Sequence, residues 1–136
     1  MKIMAVDYGD ARTGIAVSDE SASLAGEAWV IREKNQKTLA AAIATEAAAR
    51  RVGIIVVGYP KNMNGSAGPR AEKSERLADT LRTLCDNEIV LWDERMTTMS
   101  ANRILTDTGR YGKKRKESVD AVAASLILES YLDYLK

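Results

Sequence analysis

The chain has 136 residues, with 20 Lys and Arg against 19 Asp and Glu, one cysteine, and neither histidine nor phenylalanine. Such a length suits one domain of roughly 100–200 residues. The missing histidine excludes imidazole as general base, as zinc ligand and as partner of a Ser or Cys nucleophile, and a formal net charge of +1 leaves local basic clusters, rather than bulk field, to hold nucleic acid.

Residues 2–7 alternate and condense into an apolar strand, and Tyr8 to Gly14 form a glycine-bounded turn into a second strand around Ile15-Ala16-Val17. A third strand is expected over Glu27 to Ile31, giving an antiparallel meander. No signal-peptide core fits Lys2 to Val6 and no stretch is apolar enough to cross a membrane, so cytoplasmic residence is the expectation. Asn35 is a suitable N-cap for an alanine-rich helix to Arg51, with Leu39, Ile43 and Ala47 on one face. Val52 to Val57 is continuously apolar and β-branched, the pattern of a strand covered on both faces in a parallel sheet.

Beyond the polar loop Lys61 to Gly68, Pro69 suits the first turn of a helix whose buried stripe is Leu77, Ala78, Leu81, Leu84 and Cys85. A strand over Ile89 to Trp92 then ends in Asp93-Glu94-Arg95. Thr97 or Thr98 is expected to cap a short helix to Leu105, closed by Gly109. The run Arg110 to Lys116 holds five basic residues without apolar periodicity, which predicts a mobile loop. A last helix, capped by Ser118, should turn Val122, Ala123, Leu126, Ile127 and Tyr131 toward the core. The class is therefore α/β: a three-stranded antiparallel meander plus two parallel strands, with flanking helices, in a single domain over 1–136.

Three carboxylates stand out. Asp7 and Glu94 end apolar strands, and Asp120 shares a helix face with Ala123, Ala124, Ile127 and Tyr131. Buried carboxylates are usually paired, protonated or bound to a cation, and three of them without histidine suit Mg²⁺ or Mn²⁺. Two such ions can activate water and stabilise the leaving oxygen in phosphodiester hydrolysis. Asp7 would equally cap its own turn, and Asp120 would equally serve the helix dipole. Asp93 and Glu94 should point to opposite faces of their strand, with Glu94 the preferred ligand and Asp93 the fallback.

Arg12, Arg70 and Arg95 are candidate phosphate clamps, since guanidinium offers a bidentate fork. Asn62, Asn64 and Ser66 sit at the carboxyl end of a parallel strand, where ligands of open α/β sheets bind. Lys113, Lys114, Arg115 and Lys116 could grip a nucleic-acid backbone, with Tyr111 beside them to stack on a base. The glycines of the first turn could instead cradle a nucleotide phosphate, as in sugar-kinase-like proteins, although this chain is short for that two-domain architecture.

Four ordered motifs resemble the YqgF family: Asp7-Tyr8-Gly9 with Arg12 and Gly14-Ile15-Ala16-Val17; Val57 to Ser66 with Gly68 to Glu72; Trp92-Asp93-Glu94-Arg95-Met96-Thr97-Thr98; and Val119-Asp120 with Ala123, Ala124, Ile127 and Leu128. These are Holliday-junction-resolvase-like proteins, also described as nucleases for precursor 16S ribosomal RNA. The resemblance implies a ribonuclease-H-like fold with Asp7, Glu94 and Asp120 as catalytic metal ligands for Mg²⁺ or Mn²⁺. It implies nucleic acid as partner, foremost the ribosomal RNA precursor, with branched DNA and ribosome association as further candidates, and a cytoplasmic monomer or weak homodimer without membrane contact. The strand ending at Gly58 departs from the more distant resolvases by supplying no acid, so the second carboxylate has to come from Glu94. A rival reading keeps the fold as a nucleic-acid-binding factor in transcription or DNA recombination with little catalysis.

Overall fold

The computed structural model describes residues 1–23, 25–61, 64–94 and 112–136, with side chains in the last segment from residue 119. Five strands form one sheet: β1 (Lys2–Asp7), β2 (Arg12–Ser18), β3 (Ala25–Arg32), β4 (Val52–Tyr59) and β5 (Glu88–Asp93), in the order β3-β2-β1-β4-β5. The first three pair antiparallel, whereas β4 and β5 run parallel to β1. The expected meander and parallel pair are both present.

Alternation along each strand divides two cores. Met4, Val6, Ile15, Val17, Ile55 and Val57 pack on the side of α1 (Gln36–Ala49) and α2 (Pro69–Leu84), against Leu39, Ile43, Leu77 and Leu81. Ile3, Ala5, Ala16 and Val56 pack on the other side, against Ala124, Ile127, Leu128 and Leu132 of α3 (Gly112–Leu135). Because β1 and β4 are covered on both faces, they read as continuous apolar runs.

The helix starts follow their chemistry. Asn35 Oδ1 accepts from the Thr38 amide at 3.0 Å, and Pro69 opens α2, where its missing amide hydrogen has no intrahelical partner to lose. The exception is α3. It begins at Gly112, so the expected loop up to Lys116 and the cap at Ser118 are both corrected: residues 112–118 are helical backbone. Apolar periodicity reports burial, not helicity. Lys, Arg and Glu are good helix formers, and a helix already nucleated by its packed half extends upstream through them without further nucleation cost. The short helix expected from Thr97 or Thr98 to Leu105 lies outside the described residues.

Where α3 crosses β5, Trp92 packs edge-on against Tyr131, with centroids 5.3 Å apart, and donates from Nε1 to Ser130 Oγ at 3.1 Å. This anchors the helix across the sheet, with residue 120 toward β2 and residue 131 toward β5.

Candidate active site

The carboxyl ends of β1, β4 and β5 and the start of β2 lie at one end of the sheet. Asp7 is the last residue of β1 and shares the α3 side with Ile3 and Ala5. Its partner on β2 is Gly14; on the β4 side, Val6 pairs with Val57 and Gly58 comes next. Trp92 belongs to the α3-side core, so alternation puts Asp93 on the opposite face and returns Glu94 to the face of Asp7.

The two glycines beside Asp7 explain how the other carboxylates reach it. A Cβ on Gly14 would stand 2.0 Å from the Asp120 carbonyl oxygen and 2.6 Å from its carbon, so α3 lies with its backbone directly on β2. A Cβ on Gly58 would stand 2.7 Å from Glu94 Cδ and 2.9 Å from Cγ. The acid absent from β4 is thus replaced by empty space, and the Glu94 side chain lies across it. Glycine inside a strand otherwise weakens it, and here each one marks a close approach.

Burial is the main cause that raises the Asp7 carboxyl well above its ordinary range; the charge of Glu94, a hydrogen bond with it and the charge of Asp120 add to the rise, and Arg70 opposes it. Two carboxyls in contact in a desolvated pocket hold one proton between them more readily than two charges. Asp120 is turned to Arg12, whose Nε donates to its Oδ2 at 3.0 Å, with side chains 34% and 24% exposed. Arg70 donates from Nη2 to the Tyr8 carbonyl at 3.2 Å, which seats its guanidinium at the end of β1.

The donor set fits a hard divalent cation at the Asp7–Glu94 pair, because such an ion relieves the mutual repulsion of the two carboxylates. Among the described residues, no three acidic or cysteine side chains close into a metal cage.

Other expected site residues fall as follows. Asn64 Oδ1 accepts from the amide and hydroxyl of Ser66, closing its own turn beside the site. Asn62, Arg95 and the side chains of Lys113, Lys114, Arg115 and Lys116 lie outside the described residues. The phosphate-cradling role considered for the first turn meets an obstacle: the Gly9 amide donates to Thr13 Oγ1 at 3.3 Å, and the turn closes on itself. Sequence reasoning missed Gly14 and Gly58 as positioning residues, although glycine within two apolar strands was a usable signal.

Gly58→Ala tests this packing. The contacted Glu94 and Ile127 atoms are side-chain ends, so the fold should yield at a cost of about 1 kcal/mol. Glu94 should move by roughly an ångström, and a reaction that depends on its placement should slow about a hundredfold. Measured rate and Tm together check it; a variant with unchanged rate would refute the positioning role.

The comparisons with known proteins concern the family and the fold. A family model described as RuvX, Holliday junction resolvase, matches residues 1–134. A protein of Halothermothrix orenii named "Putative pre-16S rRNA nuclease" is 44% identical over 135 residues, covering 98% of this chain and 96% of its own. One of Agathobacter rectalis with the same name is 42% identical over 138 residues, covering 99% and 96%. The structure is similar to Thermus thermophilus RuvC in complex with a Holliday junction substrate, with a TM-score of 0.61 at 11% identity over 98% of this chain and 96% of that one. That likeness shows the ribonuclease-H-like fold.

Proposed function

The chain belongs to the RuvX family of Holliday junction resolvases, and from that premise we propose that it is a divalent-metal-dependent nuclease whose substrate is the precursor of 16S ribosomal RNA. The observation that carries the reading is the joining of Asp7 and Glu94 on one face of the sheet, with Asp120 held beside them by Arg12. The names of relatives above 40% identity support the choice of substrate. We take residues 1–136 to act as one ribonuclease-H-like unit, in the cytoplasm.

In this reading Asp7, Glu94 and Asp120 hold Mg²⁺ or Mn²⁺, which when bound polarises the phosphate and activates the attacking water. The chain does the rest through position. Desolvation of Asp7 makes its hold on a cation stronger than in water. Arg70, seated at the end of β1, offers a fixed positive charge to non-bridging phosphate oxygens as the negative charge grows. Arg12 fixes the Asp120 carboxylate through Nε and keeps further donors for the substrate. Arg95, Asn62 and Lys113 to Lys116 are assigned to grip the flanking backbone.

The test is incubation of the purified chain with a 16S precursor transcript and with a four-way DNA junction, in Mg²⁺ and in EDTA. Cleavage of the transcript in Mg²⁺ that disappears in EDTA is the expected result. Binding without cleavage in either condition would favour the rival, a nucleic-acid-binding factor of the same fold.

A further inference from the structure

β5 is the outermost strand of the sheet, bonded through its backbone to β4, and their ladder ends at the pair of Tyr59 with Asp93. Glu94 stands one residue beyond that last rung. The ladder ties β5 along one side, while the Glu94 carboxylate sits at the end of several side-chain rotors, a flexible mounting for a group that meets Asp7. Side chains of α3 supply a second hold. Trp92, two residues before Glu94, donates from Nε1 to Ser130 Oγ at 3.1 Å, and its ring meets the Tyr131 ring at 90° with centroids 5.3 Å apart. The hydrogen bond fixes the direction in which the indole points, and the edge-to-face contact fixes its plane. One turn earlier, Ile127 is fully buried, and its Cδ1 lies 2.8 Å from the point that a Cβ on Gly58 would occupy, with Glu94 Cγ 2.9 Å from the same point. Ile127, Ser130 and Tyr131 are spaced i, i+3, i+4, so one face of α3 spans both Trp92 and the place where the stem of Glu94 lies.

We infer that Trp92, held by Ser130, is a positioning residue for the reaction, acting through Glu94 and not on the substrate. Asp120 belongs to the same helix, seven residues before Ile127, which is roughly two turns and 10 Å along the axis. By pinning the end of β5 to α3, the indole sets Glu94 against the element that carries Asp120, so two carboxylates from distant parts of the chain share one reference. The N–H is what selects tryptophan here: an apolar ring would pack against Tyr131 as well, but nothing would fix its direction. The inference rests on the nuclease reading for the role of Glu94.

Two readouts on the full chain test it. In steady-state cleavage of the precursor transcript with Mg²⁺, Ser130→Ala should lower kcat about tenfold and leave KM within about twofold of wild type, because the lost hydrogen bond touches no substrate. In the metal-free protein, the nuclear Overhauser contact between Glu94 Hγ and Gly58 Hα should be lost in the same variant, since such contacts fade steeply with distance. Ser130→Thr, which keeps the acceptor oxygen, should restore both. Ile43→Val, which lowers stability in the core on the other side of the sheet, should leave kcat and the contact as in wild type. Wild-type kcat or an unchanged contact in Ser130→Ala, or an equal loss in Ile43→Val, would overturn the inference. A wild type that never cuts the transcript would instead overturn the nuclease reading alone, with the Overhauser contact still deciding whether Ser130 places Glu94.

Discussion

Asp7→Asn is expected to abolish cleavage, by about a thousandfold or more, and at the same time to make the metal-free protein more stable. Both effects have one origin. The carboxyl is raised well above its ordinary range by burial first and then by Glu94 and Asp120, so ionising it in the folded chain costs free energy that the unfolded chain does not lose. Between the ordinary value of 3.8 and the raised folded value, the folded state holds the extra proton, and stability falls as pH rises through that window. An amide keeps nearly the same shape and has no charge to desolvate. The metal-free variant should therefore melt above wild type at pH 7.5, with the gap shrinking toward pH 4. Added Mg²⁺ should raise the Tm of wild type and leave that of the variant nearly unmoved. A variant that is less stable at neutral pH would show that Asp7 is a structural cap, and one that still cuts would remove it from the catalytic set.

The second large effect is expected at Gly14. Its missing Cβ is filled by the Asp120 carbonyl, 2.0 Å from where the Cβ would be, and by the Ala121 nitrogen, 3.3 Å away. Unlike the side-chain ends that face Gly58, these are backbone atoms of a helix whose following turns are packed on the sheet, and they cannot turn aside. Gly14→Ala must lift the amino-terminal part of α3 from β2, loosening the contacts of Ala124 and Ile127 with Ala16. A loss of about 2–4 kcal/mol follows, seen as a fall in Tm of roughly 10 °C. Asp120 moves with its backbone, so cleavage measured well below the new Tm should also fall about a hundredfold. Full activity in a folded Gly14→Ala protein would show that the position of Asp120 does not matter to the reaction.

Much of the architecture is legible in the order of the residues alone. The runs Lys2 to Asp7 and Val52 to Val57 carry apolar residues on both sides of the strand, which is what burial between two helix layers requires. Asn35 and Pro69 mark their helices through local chemistry, one by a side-chain acceptor and one by a fixed φ. The start of α3 is not legible in this way, because seven residues without apolar periodicity are helical through propensity and continuity with a packed helix. The facing of Arg12 and Arg32 is also out of reach of pattern. Arg12 and Arg32 are 20 positions apart along the chain, and only the β2–β3 register sets them opposite each other.

The sequence by itself determined the type of chemistry: with no histidine and three carboxylates at element ends, the candidate ligands are hard oxygens. It also determined the order of strands and helices, since periodicity and capping act over a few residues. The tertiary structure alone decided that Asp7 meets Glu94 while Asp120 meets Arg12, and that two glycines make room for both approaches. The physical reason is that a glycine adds nothing to a hydrophobic pattern. Its contribution is the volume it leaves empty, and that volume has meaning only once another part of the chain fills it.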